Sequence, residues 1–257
     1  MIINVFQLQI LMLIMSRIIG LFLVAPLFSN RSISRVFKIG MVIWLSIVLW
    51  FVVPVSLDSV PATSIGYGVA LFQEILIGIT IGMVAQLLFA GIRAAGEIVG
   101  MQMGLSVATT FNPSEGGQES LLAKLLTNIM LLLFLLIDGH HLLLAAVRKS
   151  FEILPLMNAW NFMQAGRTLV ELAGAIFAIG ISLAAPIILV IFLLDFAFGM
   201  VSRVAPQVNV FMMGFQLKPP LGEIVILLIT PLLIERMVYL LSRMVNELTQ
   251  VFFMLHM

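Results

Sequence analysis

The sequence predicts an all-α integral membrane protein built from about six long hydrophobic helices, several of them broken. Of its 257 residues, 62% are hydrophobic and 10% are charged, whereas a soluble domain carries about 45–50% apolar and about 25% charged residues. A soluble fold of this size cannot cover so much apolar surface with polar side chains. At about 20 residues for each bilayer span, the chain holds material for about six to seven spans.

The composition also excludes several classes of protein. The net charge is +1, so the chain lacks the basic surface that binds nucleic acid. It contains no cysteine, which excludes a disulfide framework, a thiolate nucleophile and a cysteine-ligated metal. It has neither a phosphate-binding P-loop motif nor a GxSxG motif. We therefore expect no enzymatic activity and no cofactor.

Apolar runs define the predicted helices in chain order. They cover about 1–28, 36–53, 66–92, 121–147, 168–201 and 208–241. The first run lacks the basic start and cleavage site of a signal peptide, and Pro26 predicts a break near its end. Pro186 in the fifth run and Pro219-Pro220 in the sixth predict further breaks. Because no repeat or low-complexity tract divides the chain, we expect one helical domain over 1–257.

The least apolar stretch follows the third run, at about 93–120. Its first part, 93–107, is able to extend a helix. Its second part reads ATTFNPSEGGQES over 108–120, and the Asn-Pro and Gly-Gly pairs in it favour turns. A loop of about 12–15 residues without structure of its own is usually functional or disordered.

Glycines recur at four-residue spacing in two groups. On a helix such residues form a flat ridge that lets another backbone approach closely. The pattern predicts helix packing at Gly78, Gly82, Gly96, Gly100 and Gly104.

Charged residues inside the apolar runs are predicted to be buried against protein, water or a partner. Each costs about 2.5–3.5 kcal/mol at a helix centre. Because the acids are scattered over four runs, structural pairing is favoured over a proton pathway. Arg17 is expected to pair with Glu74 or with an acid on another subunit. The predicted buried charges are Arg17, Glu74, Asp138, Asp195 and Glu223.

The sequence Asp138-Gly139-His140-His141 suggests either metal chemistry or a helix end. Adjacent histidines point about 100° apart on a helix, and metal-binding pairs prefer the i, i+4 spacing. A hydrogen-bonded turn at a helix end is therefore favoured, with a metal site as the alternative.

Four stretches carry a resemblance to a known family. They are APLFSNRSISRVFKIG (Ala25–Gly40), GEIVGMQMGLSVATTFNP (Gly96–Pro113), DGHHLLLAAVRKSFEILP (Asp138–Pro155) and PQVNVFMMGFQLKP (Pro206–Pro219). These stretches occur in the order and at the separations that are usual in the FliR family of bacterial flagellar export-gate subunits, and the chain resembles that family. Injectisomes have a matching subunit. The motif residues are Asp138, Gly139, His140, His141, Pro206, Asn209, Phe211, Phe215, Lys218 and Pro219.

The resemblance implies one subunit of the export gate in the bacterial inner membrane, within the flagellar basal body. In that family one copy joins several copies of FliP and FliQ, with FlhB at the base of the gate, and unfolded flagellar proteins pass through the middle. The helices then pack as hairpins in a hetero-oligomer rather than as a simple transmembrane bundle.

The resemblance also implies a lumenal plug at about 104–119. Phe111, its one large apolar residue, would block the pore. Bends would come from Asn112-Pro113 and Gly116-Gly117. Met101, Gln102 and Met103 would lie near the seal, where methionine side chains adapt to varied surfaces.

An alternative is a proton-coupled secondary transporter, in which Pro186 and Pro219-Pro220 make broken-helix sites beside the acids. A transporter of that kind shows two halves with matching interruptions. Here the prolines fall in the C-terminal part without N-terminal counterparts, which favours the export-gate subunit.

Overall fold

The computed structural model describes residues 5–29, 33–53, 63–105, 120–156 and 162–256. Within these ranges the chain is helical and contains no strand, which confirms the predicted all-α class. The helices are α1 (Val5–Val24), α2 (Pro26–Ser29), α3 (Arg35–Val52), α4 (Ser64–Gln102), α5 (Leu121–Leu136), α6 (Gly139–Ile153), α7 (Phe162–Val204) and α8 (Val210–His256).

Local chemistry sets the ends of the first helices. The predicted break at Pro26 separates α1 from the short helix α2. Ser34 caps α3, because its hydroxyl accepts a hydrogen bond from the Phe37 backbone N–H at 3.3 Å, which satisfies a donor that the first helical turn leaves unpaired. α3 ends at Val52, shortly before Pro54.

The long helix α4 ends in a glycine motif. The third apolar run continues without interruption to Gln102. Gly104 then adopts φ +77°, and the N–H groups of Leu105 and Gly104 donate to the carbonyls of Gly100 and Met101. This is the Schellman arrangement, in which only glycine takes the left-handed position without strain. Gly104 therefore terminates the helix, and its assignment to the packing ridge is wrong.

The fourth apolar run forms two helices rather than one. α5 and α6 meet at a bend of 68°. Asp138 lies at the bend with φ 56°, a left-handed conformation that aspartate tolerates better than most residues. A Cβ at Gly139 would collide with the Phe134 ring, so the first residue of α6 must be glycine for the bend to form.

The predicted proline breaks are wrong. Pro186 lies inside α7, and Pro219 and Pro220 lie inside α8, and both helices continue through them. An interruption among apolar neighbours would leave several peptide groups without water or protein partners. Continuing the helix removes only the hydrogen bonds that the prolines themselves cannot donate.

Within the described residues, five helices are long and apolar enough to cross a membrane, or six if α5 and α6 form one bent span. This agrees with the predicted number of about six. Three of them are much longer than one span requires: α4, α7 and α8 contain 39, 43 and 47 residues.

The residues group into two compact units. Unit 1 comprises residues 1–88, 134–173 and 241–257, and unit 2 comprises 89–133 and 174–240. In unit 1, α1 packs against α3 and buries Leu13, Ile14, Ile18 and Leu21. A single domain over 1–257 stays a prediction.

Candidate functional site

Arg17 is the centre of a buried polar cluster in unit 1. Its side chain is fully buried, and its Nε donates to Glu74 Oε2 at 2.6 Å. The other guanidinium nitrogens donate to Ser150 Oγ at 3.0 Å and to the Leu154 carbonyl at 3.1 Å. The guanidinium carbon lies 3.9 Å from the centre of the Phe151 ring. Arginine suits this position because its planar fork satisfies several acceptors and stacks on an aromatic face.

Glycines bring the backbones of α1 and α4 together beside this cluster. A Cβ at Gly78 would collide with the Arg17 carbonyl, and one at Gly20 would collide with the Ile75 carbonyl. At Gly82 a Cβ would lie 3.1 Å from the Ala25 nitrogen. The close crossing places Glu74, one turn before Gly78, within reach of the guanidinium.

Three partners of Arg17 were not predicted from the sequence. Ser150, Phe151 and Leu154 belong to the third family stretch but were not singled out. Ser150 is fully buried, and its hydroxyl also donates to the Val147 carbonyl at 2.6 Å. A serine on the apolar face of α6 is the signal that was available, since buried hydroxyls need partners.

The remaining predicted buried charges are exposed on the single chain, so their burial against a partner stays a prediction. Asp138 and Asp195 have 71% and 44% of their side chains exposed on the single chain, and Glu223 is also exposed. An apolar run reports the composition of a helix, but it does not say which side of the helix faces the chain's own core. Many apolar neighbours of these acids are exposed as well.

The motif at 138–141 forms the bend between α5 and α6. The Asp138 carbonyl accepts hydrogen bonds from the His141 and Leu142 N–H groups at 2.9 and 3.2 Å. His141 Nδ1 lies 3.4 Å from Asp138 Oδ1, and the rings of His140 and His141 have their centres 4.2 Å apart. The three side chains therefore meet on one side of the bend.

A cavity of about 360 Å³ in unit 2 collects residues from two other family stretches. It is lined by the end of α4, the second half of α7 and the first turns of α8. Eight of the predicted site residues line it: Met101, Gln102, Met103, Gly104, Asp195, Phe211, Phe215 and Lys218.

The cavity wall combines an ion pair with an aromatic pair. Lys218 Nζ lies 2.6 Å from Asp195 Oδ1, which joins α8 to α7. The rings of Phe211 and Phe215 make an edge-to-face contact with their centres 4.9 Å apart. The site thus presents apolar surface beside a neutralised pair of charges.

The two methionines that flank Gln102 have different surroundings. Met103 is fully buried, and a Cβ at Gly222 would lie 2.6 Å from its sulfur. Met101 is 59% exposed. Only Met101 is therefore accessible on the surface of the single chain.

The start of α5 returns to the last turns of α4. The Ser120 N–H donates to Glu97 Oε1 at 3.1 Å. A Cβ at Gly96 would collide with Ala123, and one at Gly100 would collide with the Ser120 hydroxyl. The residues before and after 106–119 are thus neighbours. The predicted plug residues lie outside the described residues: Phe111, Asn112, Pro113, Gly116 and Gly117.

The other motif residues shape the α7–α8 connection. Asn209 Oδ1 accepts a hydrogen bond from the Met212 N–H at 3.1 Å, as an N-cap residue does. Pro206 lies in the turn before it, and Pro219 lies within α8. Asn209 thus caps the start of α8, whose first turns line the cavity.

Comparison with known proteins places the chain in one family. The family described as bacterial export proteins, family 1, matches residues 8–244. Flagellar biosynthetic protein FliR of Pectobacterium carotovorum subsp. carotovorum is 37% identical over 217 residues, covering 84% of this chain and 82% of its own. FliR of Escherichia coli K12 is 34% identical over 237 residues, covering 91% and 89%. FliR of Bacillus subtilis 168 is 32% identical over 212 residues, covering 80% of each.

The match extends from α1 into α8 and includes the residues of both the Arg17 cluster and the cavity. Among the described helices, five or six are long and apolar enough to cross a membrane. The chain therefore belongs to the FliR family of flagellar biosynthetic proteins and is a membrane-embedded component of flagellar export.

Proposed function

We propose that the chain is a core subunit of the flagellar type III export gate. With FliP and FliQ it forms the inner-membrane pore through which unfolded flagellar proteins leave the cytoplasm, and FlhB binds at the base. The observation that carries this proposal is that helices much longer than the hydrocarbon layer is thick expose apolar side chains that lipid alone cannot cover.

Helix length separates lipid burial from burial against other subunits. At about 1.5 Å per residue, α4, α7 and α8 are about 58, 64 and 70 Å long, while the hydrocarbon layer is about 30 Å thick. A tilt of about 40°, the upper end for membrane helices, does not remove the excess. In α7 large apolar side chains are exposed near both ends, with Met163 at 74% and Val204 at 86%. Partner subunits are the remaining cover for such surface.

The transporter alternative loses its main support. It required broken helices at Pro186 and at Pro219-Pro220, and both helices are continuous there. The nearby acid Asp195 is paired with Lys218, which favours a structural role for that carboxylate over ion coordination.

We infer further that about 104–119 acts as a lumenal plug with Phe111 as the block. Two features support this inference. The segment begins at the Schellman turn of Gly104, beside the cavity, and ends at Ser120, held by Glu97. Both ends of the segment are therefore held at the last turns of α4.

Recovery of the intact complex tests the main proposal. A tagged chain, expressed with its native FliP and FliQ and extracted in mild detergent, is weighed by native mass spectrometry. We expect one copy of this chain with several copies of FliP and FliQ. A chain recovered alone or as a homo-oligomer, with FliP and FliQ present in the same membranes, contradicts the proposal.

Deletion of residues 108–118 tests the plug. We expect the assembled complex to be recovered in normal yield and the membrane to become permeable to ions, because an unblocked pore conducts. Conductance is measured in planar bilayers. An assembled complex with unchanged conductance contradicts the plug assignment while leaving the subunit assignment intact.

Single substitutions test which residue blocks the pore. Phe111→Ala removes the large apolar side chain, and Ser114→Ala in the same segment is the matched control. We expect ion leak to increase more for Phe111→Ala. Equal leak from the two variants argues against a hydrophobic block.

A further inference from the structure

We propose that Asp138, His140 and His141 form a binding site for a divalent transition-metal ion of the zinc class at the bend between α5 and α6. The site lies in unit 1 and is independent of the pore. It rests on four observations about the bend.

The first observation is the spacing of the ligand atoms. One ligand atom from each residue lies within 4.8 Å of the other two. A tetrahedral ion with bonds of about 2.1 Å holds its ligand atoms about 3.4 Å apart. His141 Nδ1 and Asp138 Oδ1 already lie 3.4 Å apart.

The second observation is that the histidines converge. On a regular helix adjacent side chains diverge by about 100°, and such divergence disfavours a shared metal ion. Here they occupy the first turn of α6, directly after the left-handed residue Asp138. Their rings lie 4.2 Å apart between centres and are tilted by 37°, so both imidazoles face the same region.

The third observation is that two of the candidate ligand groups lack the hydrogen bonds expected at their positions. Asp138 occupies the N-cap position of α6, yet its carboxylate makes no capping hydrogen bond. His140 Nδ1 is buried and has no hydrogen-bond partner among the described residues. A buried polar atom without a partner calls for a water or an ion, and imidazole is the commonest metal ligand in proteins.

The fourth observation is access. The side chains of His141 and Asp138 are 68% and 71% exposed, so an ion reaches them from solvent and water completes its coordination. Two imidazoles and one carboxylate are a donor set that zinc and its neighbours accept. A bound ion would tie the residue at the bend to the first turn of α6 and stabilise the 68° angle.

Cobalt titration tests the site, because Co²⁺ replaces Zn²⁺ and absorbs visible light according to its coordination. The full chain is purified in detergent with an affinity tag that contains no histidine. We expect one Co²⁺ per chain with the absorption bands of a four- or five-coordinate ion, and equimolar Zn²⁺ retained through gel filtration.

Three variants give the controls. Asp138→Asn keeps a residue that tolerates the left-handed conformation but removes the carboxylate, so we expect affinity to fall at least about tenfold, the lower limit seen when even outer-shell partners are lost. His140→Gln combined with His141→Gln should abolish the absorption. His256→Gln removes the third histidine of the chain and should change nothing.

Each result decides the proposal. Loss of Co²⁺ affinity in Asp138→Asn with unchanged gel-filtration behaviour supports it, even if the double variant does not accumulate. No Co²⁺ binding by the unaltered chain, or the same affinity in Asp138→Asn, overturns it. In that case the motif is a hydrogen-bonded turn and nothing more.

Discussion

The two units each contain an ion pair of the same length in very different surroundings. Arg17 and Glu74 in unit 1 lie 2.6 Å apart with side chains 0% and 2% exposed, and Arg17 has further partners on α6. Lys218 and Asp195 in unit 2 also lie 2.6 Å apart, but their side chains are 23% and 44% exposed beside a cavity.

The difference teaches that distance alone does not rank ion pairs. A partly exposed pair contributes about 0–1 kcal/mol, because water competes for both charges. A buried pair adds little compared with a well-packed apolar pair, but removing one partner leaves an uncompensated charge and costs about 3–5 kcal/mol. We therefore expect the first pair to specify the packing of unit 1 and the second to allow rearrangement.

Arg17→Met is expected to have the largest effect. It leaves the Glu74 carboxylate buried without its cation, and it removes the donors to Ser150 and Leu154, so the loss of stability is about 3–5 kcal/mol. Thermal unfolding of the purified protein in detergent measures it. Arg203→Met, at an exposed arginine in the last turn of α7, is the control and should lower stability by less than about 1 kcal/mol.

A second substitution separates charge from packing. Combining Arg17→Met with Glu74→Leu removes the buried charge and should restore a large part of the lost stability. If the double variant is as unstable as Arg17→Met alone, the unpaired carboxylate is not the cause.

Gly78→Ala is expected to come next. Its new methyl group would collide with the Arg17 carbonyl, and overpacking of this kind costs about 1–3 kcal/mol. Gly68→Ala in the same helix is a matched control, since nothing lies within 4 Å of its Cβ position, and it should be neutral or stabilising by up to about 1 kcal/mol. Equal unfolding temperatures for the two variants contradict the close crossing of α1 and α4.

Unit 2 offers the parallel test on α7. A Cβ at Gly180 would lie 2.5 Å from the Gly91 carbonyl oxygen, whereas Gly174 has open space. We expect Gly180→Ala to lower the unfolding temperature by an amount similar to or smaller than that of Gly78→Ala, and Gly174→Ala to leave it unchanged or raised. A tolerated Gly180→Ala would show that the second unit adjusts its helix spacing where the first does not.

Lys218→Met should have the smallest effect. Because Asp195 is partly exposed, water replaces the lysine, and we expect stability to change by less than about 1 kcal/mol. The same unfolding measurement applies, with Asp195→Asn as the reciprocal variant. A loss comparable to that of Arg17→Met removes the distinction between the two pairs.

Much of the fold followed from hydropathy. The second run was predicted over about 36–53 and forms α3 over Arg35–Val52, and the extension of the third run past residue 92 is present in α4. The breaks at Pro186 and Pro219-Pro220 failed, because propensities derived in water overstate how readily a helix opens among apolar neighbours. The turn at Asp138–His141 was predicted as a helix end and is present. The 68° bend there was not predicted, because it needs the Phe134 ring against Gly139.

The site was predictable in proportion to how local its contacts are. A charge such as Arg17 inside an apolar run calls for a partner, and Glu74 was an available acid. The hydrogen bonds to Ser150 and Leu154 cross more than 130 positions of the chain and depend on the orientation of α6, which periodicity does not contain. Phe111 and its neighbours stay a prediction.

The crossing of α1 and α4 has a consequence for motion. Successive turns of α4 contact both ends of Arg17 in α1. Glu74 binds its guanidinium group, and the backbone of Gly78 packs directly against its carbonyl oxygen. A piston-like slide by one helical turn, about 5.4 Å, would separate Arg17 from Glu74 and leave two buried charges without each other. These contacts hold α1 and α4 in one register. Any displacement of one helix during transport therefore moves the other with it.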